Sequence, residues 1–472
     1  MLLAGLLSSA AACAVNPATG QRQFMLLSED REIEMGREAD VQVTEAYGLY
    51  PSEELQTFVR GMGEDLAARS ERPQLPWSFK VVDDPAVNAF ALPGGFIFIT
   101  RGILASLNSE AELAGVLGHE IGHVTARHSA SQLSRRQLQQ IGLGVGAAVS
   151  SDIASAAGVL SAGFQLLNLR YSRGDESQSD ELGVRYMSRA GYDPNALVGV
   201  FQTLALAAGG GGRLPEWQST HPNPENREAK ILELVASSGQ DYSGYTSRRD
   251  EYLLRLDGLV YGVNPREGFF EGNLFRHPDM AFALDFPSGW KTVNQKSQVA
   301  ALAQDESAIV VLTHASEQGG LDAAVRAFLG QDGIGGSPPR RITVNGLEAR
   351  EASFEARTDE GSLRGTVLFV SHGGTLFRIL GYAGSSRWLD HEGAVIASVR
   401  SFRAEKDPDV LGIEPARLDI VRLPSRMTFR EFTEAYPSTV EAEKLANLNR
   451  RTLDEVLEAG TLVKRVTGGR SP

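Results

Sequence analysis

Two histidines and a glutamate stand at the spacing that a helical metal site requires. His119, Glu120 and His123 form the pattern His-Glu-x-x-His within the stretch GHEIGHVTARHSA. On a helix, positions i and i+4 lie on one face, so His119 and His123 can bind one Zn²⁺ through their imidazoles. Glu120, one position further round, can act as a general base toward a water at the metal. The alternative is a pair of solvated helix histidines, and the placement of the motif within a helix argues against it.

A catalytic zinc also requires a third protein ligand and one open position. The only cysteine is Cys13, far from the motif, so the third ligand must be His, Asp or Glu. Glu176 and Asp180 lie four positions apart in GDESQSDELG, on one face of a predicted helix. Glu176 is the candidate ligand, and Asp180 could accept the second N–H of a ligating histidine. Spacing alone leaves ordinary solvated acidic side chains as an equally open alternative.

Two further histidines receive different predictions. His221 lies in the loop STHPNPENR, where it could be a transient fourth ligand or a donor to the developing oxyanion. Arg227 could hold that loop by pairing with a carboxylate. A loop histidine without a role is the alternative. His128 is five residues past His123, so the helical period predicts that it is off the ligand face and structural or on the surface.

Local signals predict the elements that must position these side chains. Ser109 and Glu112 form a capping-box pattern directly before the apolar run of the motif helix. Ser28 and the region of Ser52 each open another predicted helix, and Gly191 ends the helix that carries the acidic pair. WSFKVVDD and GGFIFITRG are predicted strands, with NAFALPGG as the turn between them.

Length, composition and net charge restrict the possible folds and classes of function. A chain of 472 residues that is 42% hydrophobic should form two or three domains. A net charge of −13 argues against a general nucleic-acid binder. Residues 141–169 are rich in Gly and Ala, and Asp152 with nearby serines interrupts them, so we expect helices over the core rather than a membrane span. A membrane-touching surface is the alternative for that segment.

The first residues, MLLAGLLSSAAAC, are a short apolar run closed by small residues before Cys13. This pattern predicts a bacterial signal peptide over residues 1–13, with Cys13 as the lipidated N-terminus of the mature protein. It departs from the usual pattern because no Lys or Arg precedes the run and Ala10 replaces the usual Leu. A lipid there would hold the protein at a membrane without spanning it. The alternative is an apolar tail with a buried cysteine.

In combination, four stretches resemble the HtpX-like and prenyl-protease-like family of zinc metallopeptidases, in its periplasmic lipoprotein branch of BepA- and LoiP-like proteins. They are CAVNPATGQRQ, NAFALPGGFIFITRGIL, GHEIGHVTARH with YSRGDESQSDELG, and STHPNPENR. The family pattern after the ligand is typically E-x-E-A-D, whereas this chain has E-S-Q-S-D, with Gln178 and Ser179 at the altered positions. The resemblance implies Glu176 as the third ligand and Asp180 as a residue supporting a ligand, because neither altered position ligates.

The resemblance also implies an α+β fold whose first domain, residues 14–260, is a mostly helical gluzincin unit with a small sheet. Its edge strand, around Phe96–Thr100, would lie beside the zinc and take an extended substrate along Gly95, Phe96, Ile97 and Phe98. Residues 266–404 resemble PsbP/Mog-like α+β domains. Residues 417–466 read as strand, helix, helix, strand and resemble a degenerate LysM unit, although LPSRMTF lacks the usual Gly-Asp-Thr turn.

The expected function is therefore that of a zinc-dependent endopeptidase with one Zn²⁺ per chain. The resemblance implies unfolded or flexible polypeptides as substrates, in quality control within the bacterial envelope. We expect a periplasmic protein that is lipid-anchored, in the outer membrane, with the cell wall or envelope proteins as further partners and no nucleic acid. A non-catalytic envelope scaffold and a zinc hydrolase of the cell wall are the alternatives.

Overall fold

The computed structural model describes residues 13–141, 170–208, 217, 221, 227–315, 319–358 and 361–469. The predicted signal peptide before Cys13, nearly all of the Gly/Ala-rich segment and the glycine run at 209–212 lie outside the described residues. Within the described ranges, none of the helices combines the length and the apolar character needed to cross a membrane.

The helices, in chain order, are α1 Glu29–Tyr47, α2 Glu53–Ala68, α3 Arg101–Ser106, α4 Glu110–Thr125, α5 His128–Ile141, α6 Arg173–Ala190, α7 Ala196–Ala208, α8 Arg227–Ser237, α9 Arg249–Arg255, α10 Gly320–Leu329, α11 Trp388–Val399, α12 Pro408–Leu411, α13 Phe429–Ala435 and α14 Ala442–Leu448.

The strands are β1 Cys13–Val15, β2 Arg22–Phe24, β3 Ser78–Val82, β4 Ala89–Leu92, β5 Phe96–Thr100, β6 Phe269–Glu271, β7 Leu274–His277, β8 Phe282–Asp285, β9 Lys291–Asn294, β10 Gln298–Leu302, β11 Ala308–His314, β12 Ile334–Gly336, β13 Arg340–Val344, β14 Leu347–Thr358, β15 Gly361–His372, β16 Thr375–Gly384, β17 Arg403–Ala404, β18 Arg417–Arg422, β19 Met427–Thr428, β20 Val456–Leu457 and β21 Leu462–Thr467.

A three-stranded sheet in the order β3-β5-β4 supports the helices of the first half of the chain. β5 is parallel to β3 and antiparallel to β4. Successive side chains of a strand point to opposite faces. Accordingly, Phe98 packs with Val43 of α1, whereas Ile97 and Ile99 join the larger core that contains Leu117 of α4. The sheet therefore separates α1 from the helix that carries the histidine motif.

The predicted helix starts are confirmed in most details. Ser28 and Ser52 cap α1 and α2, and each side chain accepts a backbone N–H three residues on. Ser109 caps α4 in the same way, by accepting from the N–H of Glu112. A capping box would also require the Glu112 carboxylate to accept the backbone N–H of Ser109. That part of the prediction is wrong, because the carboxylate instead accepts from the N–H of Asn108 at 2.7 Å.

The sheet prediction is wrong in one respect that affects the site. Residues Ala89–Leu92, predicted as part of a turn, form β4. β5, predicted as the edge strand, lies in the middle of the sheet, with paired neighbours on both sides. Gly95, Phe96, Ile97 and Phe98 therefore cannot add a substrate strand, because Phe96–Phe98 pair with both β3 and β4 and the Gly95 carbonyl accepts from Ser78.

The region from β6 to β17 is rich in sheet. A four-stranded sheet in the order β17-β8-β7-β6 accompanies a larger antiparallel sheet that runs β12-β14-β15-β16-β11-β10-β9, with β13 paired to β14. Helices α10 and α11 pack on this larger sheet. Its apolar side chains form two cores that are separate from the core around α4. The chain is thus mixed α/β, helical around the histidine motif and sheet-rich afterwards.

The last elements contain the predicted strand, helix, helix and strand, and two short additional strands, β19 and β20, flank the pair of helices. β18 pairs antiparallel with β21, and α13 and α14 lie between them in the chain. Their apolar side chains, among them Phe429, Phe432 and Leu445, belong to the same core as those of α4. This C-terminal unit thus packs directly onto the elements that hold the histidine motif.

Candidate metal centre

Helix α4 carries His119, Glu120 and His123, and it is buried along its whole length. The exposed fractions of these three side chains are 1%, 0% and 1%. Polar groups at such depth require partners, since burial without a partner costs free energy. The helical period places the two imidazoles side by side, with a ring-centroid distance of 4.7 Å.

Helix α6 brings Glu176 and Asp180 to the same point. Its N-terminus is fixed by a complete capping box between Ser172 and Asp175, which places Glu176 in the first turn. The backbones of α4 and α6 approach closely at two glycines, because a Cβ on Gly118 would stand 3.2 Å from the Cα of Gly183. This contact lets a carboxylate from α6 reach the imidazoles of α4.

Four buried side chains converge as a metal site requires. One ligand atom from each of His119, His123, Glu176 and His221 lies within 4.8 Å of all the others. The Nε2 atoms of His119 and His123 are 3.0 Å apart, and Glu176 Oε1 is 3.4 Å from Nε2 of His123. Neutral imidazole nitrogens and a carboxylate are the ligands that zinc takes in such sites. The residues present therefore fit one Zn²⁺.

The structure places Asp180 and Arg227 directly against the candidate ligands. Asp180 Oδ1 is 2.9 Å from Nδ1 of His119, so it accepts the second N–H of that ring. The Arg227 guanidinium bonds Asp180 through Nε at 2.8 Å and also lies 3.0 Å from Glu176 Oε2. Burial raises the pKa of the Asp180 carboxyl, but His119 and Arg227 outweigh it and hold that pKa below its ordinary value. Asp180 is therefore an ionised acceptor.

His221 joins the cluster from a loop. Its Nδ1 is 2.9 Å from Glu176 Oε1 and 3.3 Å from Nε2 of His119. Its backbone N–H donates to the carbonyl of Trp217 at 2.8 Å, and the Trp217 ring stacks on the imidazole at 5.0 Å. Burial lowers the pKa of His221, but the carboxylates of Glu176 and Glu120 outweigh it and raise that pKa.

The carboxylate of Glu120 stands beside the cluster and is completely buried. Its Oε1 lies 3.4 Å from the indole Nε1 of Trp217 and 3.5 Å from Nε2 of His221. Its Oε2 is buried and has no hydrogen-bond partner within the described part of the chain. A buried carboxylate oxygen left without a donor is an acceptor for a group that binds there.

His128 lies outside the group of candidate ligands, in agreement with its prediction, but the surface placement that was one part of that prediction is wrong. It is only 3% exposed, and its Nδ1 is 3.0 Å from Nδ1 of His123. The helical period misplaced it because α4 ends at Thr125 and Arg127 adopts a left-handed φ of 60°. The chain turns there, and α5 starts at His128 with a new direction.

Sequence reasoning also missed two aromatic residues of the site. Tyr171 stacks on His123 with ring centroids 3.7 Å apart, and Trp217 lies edge-on to His119 at 5.5 Å. Neither stands at a helical spacing from the ligands. Only the tertiary fold brings these two aromatic rings into contact with the histidines, so spacing along the chain could not have identified them.

Comparisons with known proteins agree with this geometry. Residues 53–235 match the model of Peptidase family M48. The mitochondrial metalloendopeptidase OMA1 of Schizosaccharomyces pombe is 35% identical over 222 residues, which are 46% of this chain and 65% of that protein. The beta-barrel assembly-enhancing protease of Yersinia pestis is 30% identical over 242 residues, 48% of this chain and 50% of that one.

The chain thus spans between about half and 65% of the length of these two relatives. Among solved structures, the cyanobacterial PsbP of Synechocystis sp. PCC 6803 is similar at 11% identity over 29% of this chain and 95% of that chain. Its TM-score of 0.23 is too low to carry an argument about the fold. The segment that matches Peptidase family M48, residues 53–235, thus also contains all four side chains of the candidate ligand cluster.

Proposed function

We propose that the protein is a zinc-dependent endopeptidase that hydrolyses unfolded or flexible polypeptides in the bacterial cell envelope, as part of protein quality control. The observation that carries the proposal is the convergence of four buried ligand atoms beside the free carboxylate oxygen of Glu120. The two relatives described above, a metalloendopeptidase and a protease, support the same reaction class.

The residues divide the work of peptide hydrolysis. His119, His123 and Glu176 hold the metal, and bound zinc would polarise the scissile carbonyl and lower the pKa of water. Glu120 Oε2 takes the proton of the attacking water and delivers it to the leaving amine, a contribution of about 10²–10⁴-fold in rate. Asp180 keeps the His119 ring oriented throughout, because it accepts from Nδ1 at 2.9 Å.

His221 belongs, in this proposal, to a closed state of the site. As a fourth ligand, His221 would fill the position that a catalytic zinc must leave open. Trp217 covers Glu120 in the same arrangement, since its indole N–H points at the carboxylate. Substrate must therefore displace the side chains of Trp217 and His221. We expect His221→Ala to raise the rate on a short fluorogenic peptide several-fold. A loss of rate with zinc retained would instead favour His221 as the donor to the oxyanion.

β4 is the strand that we assign to the substrate. It is one of the two edge strands of the three-stranded sheet among the described strands, and it contacts α4. The backbone N–H of Trp217 donates to the carbonyl of Val87, two residues before β4, at 3.5 Å. Trp217, whose side chain covers Glu120, thus lies where an extended peptide would approach β4. Strand addition at β4 selects flexible chains, because a folded substrate cannot present a free strand.

The envelope location rests on the N-terminal sequence pattern. We propose that Cys13 is lipidated and holds the protein at a membrane, with the outer membrane as the expected one. We also propose that residues 266–404 and 417–466 are PsbP/Mog-like and LysM-like units. The strand-helix-helix-strand order of the second unit supports a LysM-like assignment. Glycan or envelope-protein binding by these units is part of the same proposal.

Replacing Glu120 with Gln tests the hydrolytic function. We expect E120Q to keep one equivalent of zinc and to lose at least about 10²-fold in peptidase rate, because only the base is removed. Glu181→Gln on the exposed side of α6 is the control and should retain both zinc and activity. If E120Q kept all cellular activity with zinc bound, a non-catalytic scaffold would be the correct interpretation. Digesting casein and purified peptidoglycan in parallel separates a peptidase from a cell-wall hydrolase.

A further inference from the structure

His128 has contacts on both of its ring nitrogens. Its Nδ1 faces Nδ1 of the ligand His123 at 3.0 Å, and its Nε2 faces Gln178 Oε1 at 2.9 Å. Ser179 Oγ is 3.4 Å from the same Nδ1. Gln178 and Ser179 are the two positions at which the chain departs from E-x-E-A-D. Both altered side chains thus meet on one buried histidine that touches a metal ligand.

The chemistry of these groups fixes where the protons lie. Oε1 of Gln178 only accepts, so Nε2 of His128 carries a hydrogen and donates it. Nδ1 of a neutral His128 then has a free lone pair and accepts the N–H at Nδ1 of His123. His123 is left with an unprotonated Nε2, the atom that faces His119 and Glu176. The opposite arrangement would place a proton on that Nε2 and block it as a ligand.

The two ligand histidines are therefore supported in different ways. His119 donates to an ionised carboxylate, Asp180, which Arg227 balances. His123 donates to a neutral imidazole. Asp175 lies 3.7 Å from Nε2 of His128, beyond hydrogen-bond distance but on the side where a negative charge favours an N–H. The Ser179 hydroxyl can donate or accept at Nδ1, so the tautomer follows from Gln178 rather than from Ser179.

We propose that His128 and Gln178 are positioning residues for the metal: His128 accepts the Nδ1 proton of His123, and Gln178 fixes the tautomer of His128 that makes this acceptance possible. The inference rests on the proposed zinc function and deepens it. Groups in such a position are typically worth about 10–100-fold in metal affinity.

A matched pair at position 128 tests the acceptor. In the full chain, His128→Leu removes the acceptor, and zinc affinity measured by competition with a chromophoric chelator should fall by about 10–100-fold. His128→Asn places an amide oxygen near the former Nδ1, and it should restore the affinity to within about threefold. Glu181→Gln is the control. Equal affinities for wild type and H128L, or an H128N as weak as H128L, would overturn the proposal.

Variants of Gln178 test the tautomer of His128. They also keep the proposal falsifiable if H128L does not fold. Gln178→Met removes the acceptor at Nε2 and should weaken zinc binding, whereas Gln178→Glu retains an acceptor and should not. The double variant H128L/Q178M should lose no more affinity than H128L, because Gln178 acts through His128. Additive losses would contradict this.

Nitrogen-15 NMR of the zinc-loaded chain gives a readout that a purely structural role would not move. The His128 signals should show a hydrogen on Nε2 in wild type and in Q178E. A hydrogen on Nδ1 in wild type would overturn the proposal. If wild type bound no zinc at all, the proposed function itself would fail, and the two failures are thus distinguishable.

Discussion

Lys464 Nζ lies 2.9 Å from the carbonyl oxygen of Ala105, although 359 positions separate the two residues. The same ammonium group reaches the carbonyl of Leu107 at 2.9 Å. These carbonyls end α3, directly before the helix that carries His119 and His123. The last carbonyls of a helix have no partner within it, so Lys464 caps them from the C-terminal unit. Arg450 of the same unit forms an ion pair with Glu112 in the first turn of α4.

Replacing Lys464 with Met should destabilise the metallopeptidase domain. Lys464 is completely buried, and its loss leaves the carbonyls at the end of α3 without a donor. The expected cost is about 2–4 kcal/mol in the free energy of unfolding. Urea denaturation followed by tryptophan fluorescence measures it. Arg426→Met, which removes an exposed ion pair with Glu458, is the control and should cost less than about 0.5 kcal/mol. Equal losses in the two variants would contradict the capping role.

The close approach of α4 and α6 should be sensitive to side-chain size. Gly118→Leu forces the helix of His119 away from that of Glu176, because even a Cβ would be 3.2 Å from Gly183. We expect a loss of about 1–3 kcal/mol in stability together with weaker zinc binding. Gly61→Leu in α2 meets open space and serves as the control. Unchanged zinc affinity in a folded G118L would show that the two helices do not set the ligand geometry.

Removing the metal should affect only one part of the chain. The core around α4 is separate from the two cores of the sheet-rich region. Zinc at 100 times its dissociation constant stabilises the domain that binds it by about 2.7 kcal/mol. Calorimetry with a chelator should therefore lower the melting temperature of one transition and leave another unchanged. In Glu176→Gln, which lacks a ligand, the chelator should shift neither. A shift of every transition in the wild-type protein would argue against independent cores.

The buried side chain of His277, in the sheet-rich region, should make the folded protein less stable in acid. Burial lowers the pKa of His277 to about 4, against the opposing effect of Asp279. Its Nδ1 accepts the N–H of Met280 at 3.2 Å, which requires the unprotonated ring. Below an unfolded pKa of about 6.5, the unfolded state binds the proton and the folded state does not. Stability is thus present above pH 6.5 and lost as the pH falls toward 4.

The matching variant is His277→Gln, whose amide oxygen can still accept from Met280. Between pH 7 and pH 5 the wild-type protein should lose about 1 kcal/mol more than H277Q, after allowance for partial exposure. Urea titrations at the two pH values measure the difference, and loss of metal affects both proteins equally. Parallel losses would show that His277 does not titrate as its surroundings indicate.

Local spacing predicted the residues that share one helix turn or one cap. His119 and His123 are four apart in a continuous helix, and Ser28, Ser52 and Ser109 are caps as expected. Spacing failed where the backbone leaves the helix. The period measured from His123 placed His128 away from the metal, but the left-handed turn at Arg127 returns it to the ligand. The helical rule holds only as long as the helix does.

By itself, the sequence determined the candidate metal-binding pair, the candidate base, the helix that carries Glu176 and Asp180, and the strand-helix-helix-strand order near the C-terminus, because each depends on contacts within a few residues. The tertiary structure decided the rest. It placed β4 rather than β5 at the sheet edge, brought His128 and Trp217 to the ligands, and joined the C-terminal unit to α3 through Lys464. These relationships depend on strand order and on the packing of distant elements, and no spacing along the chain encodes either.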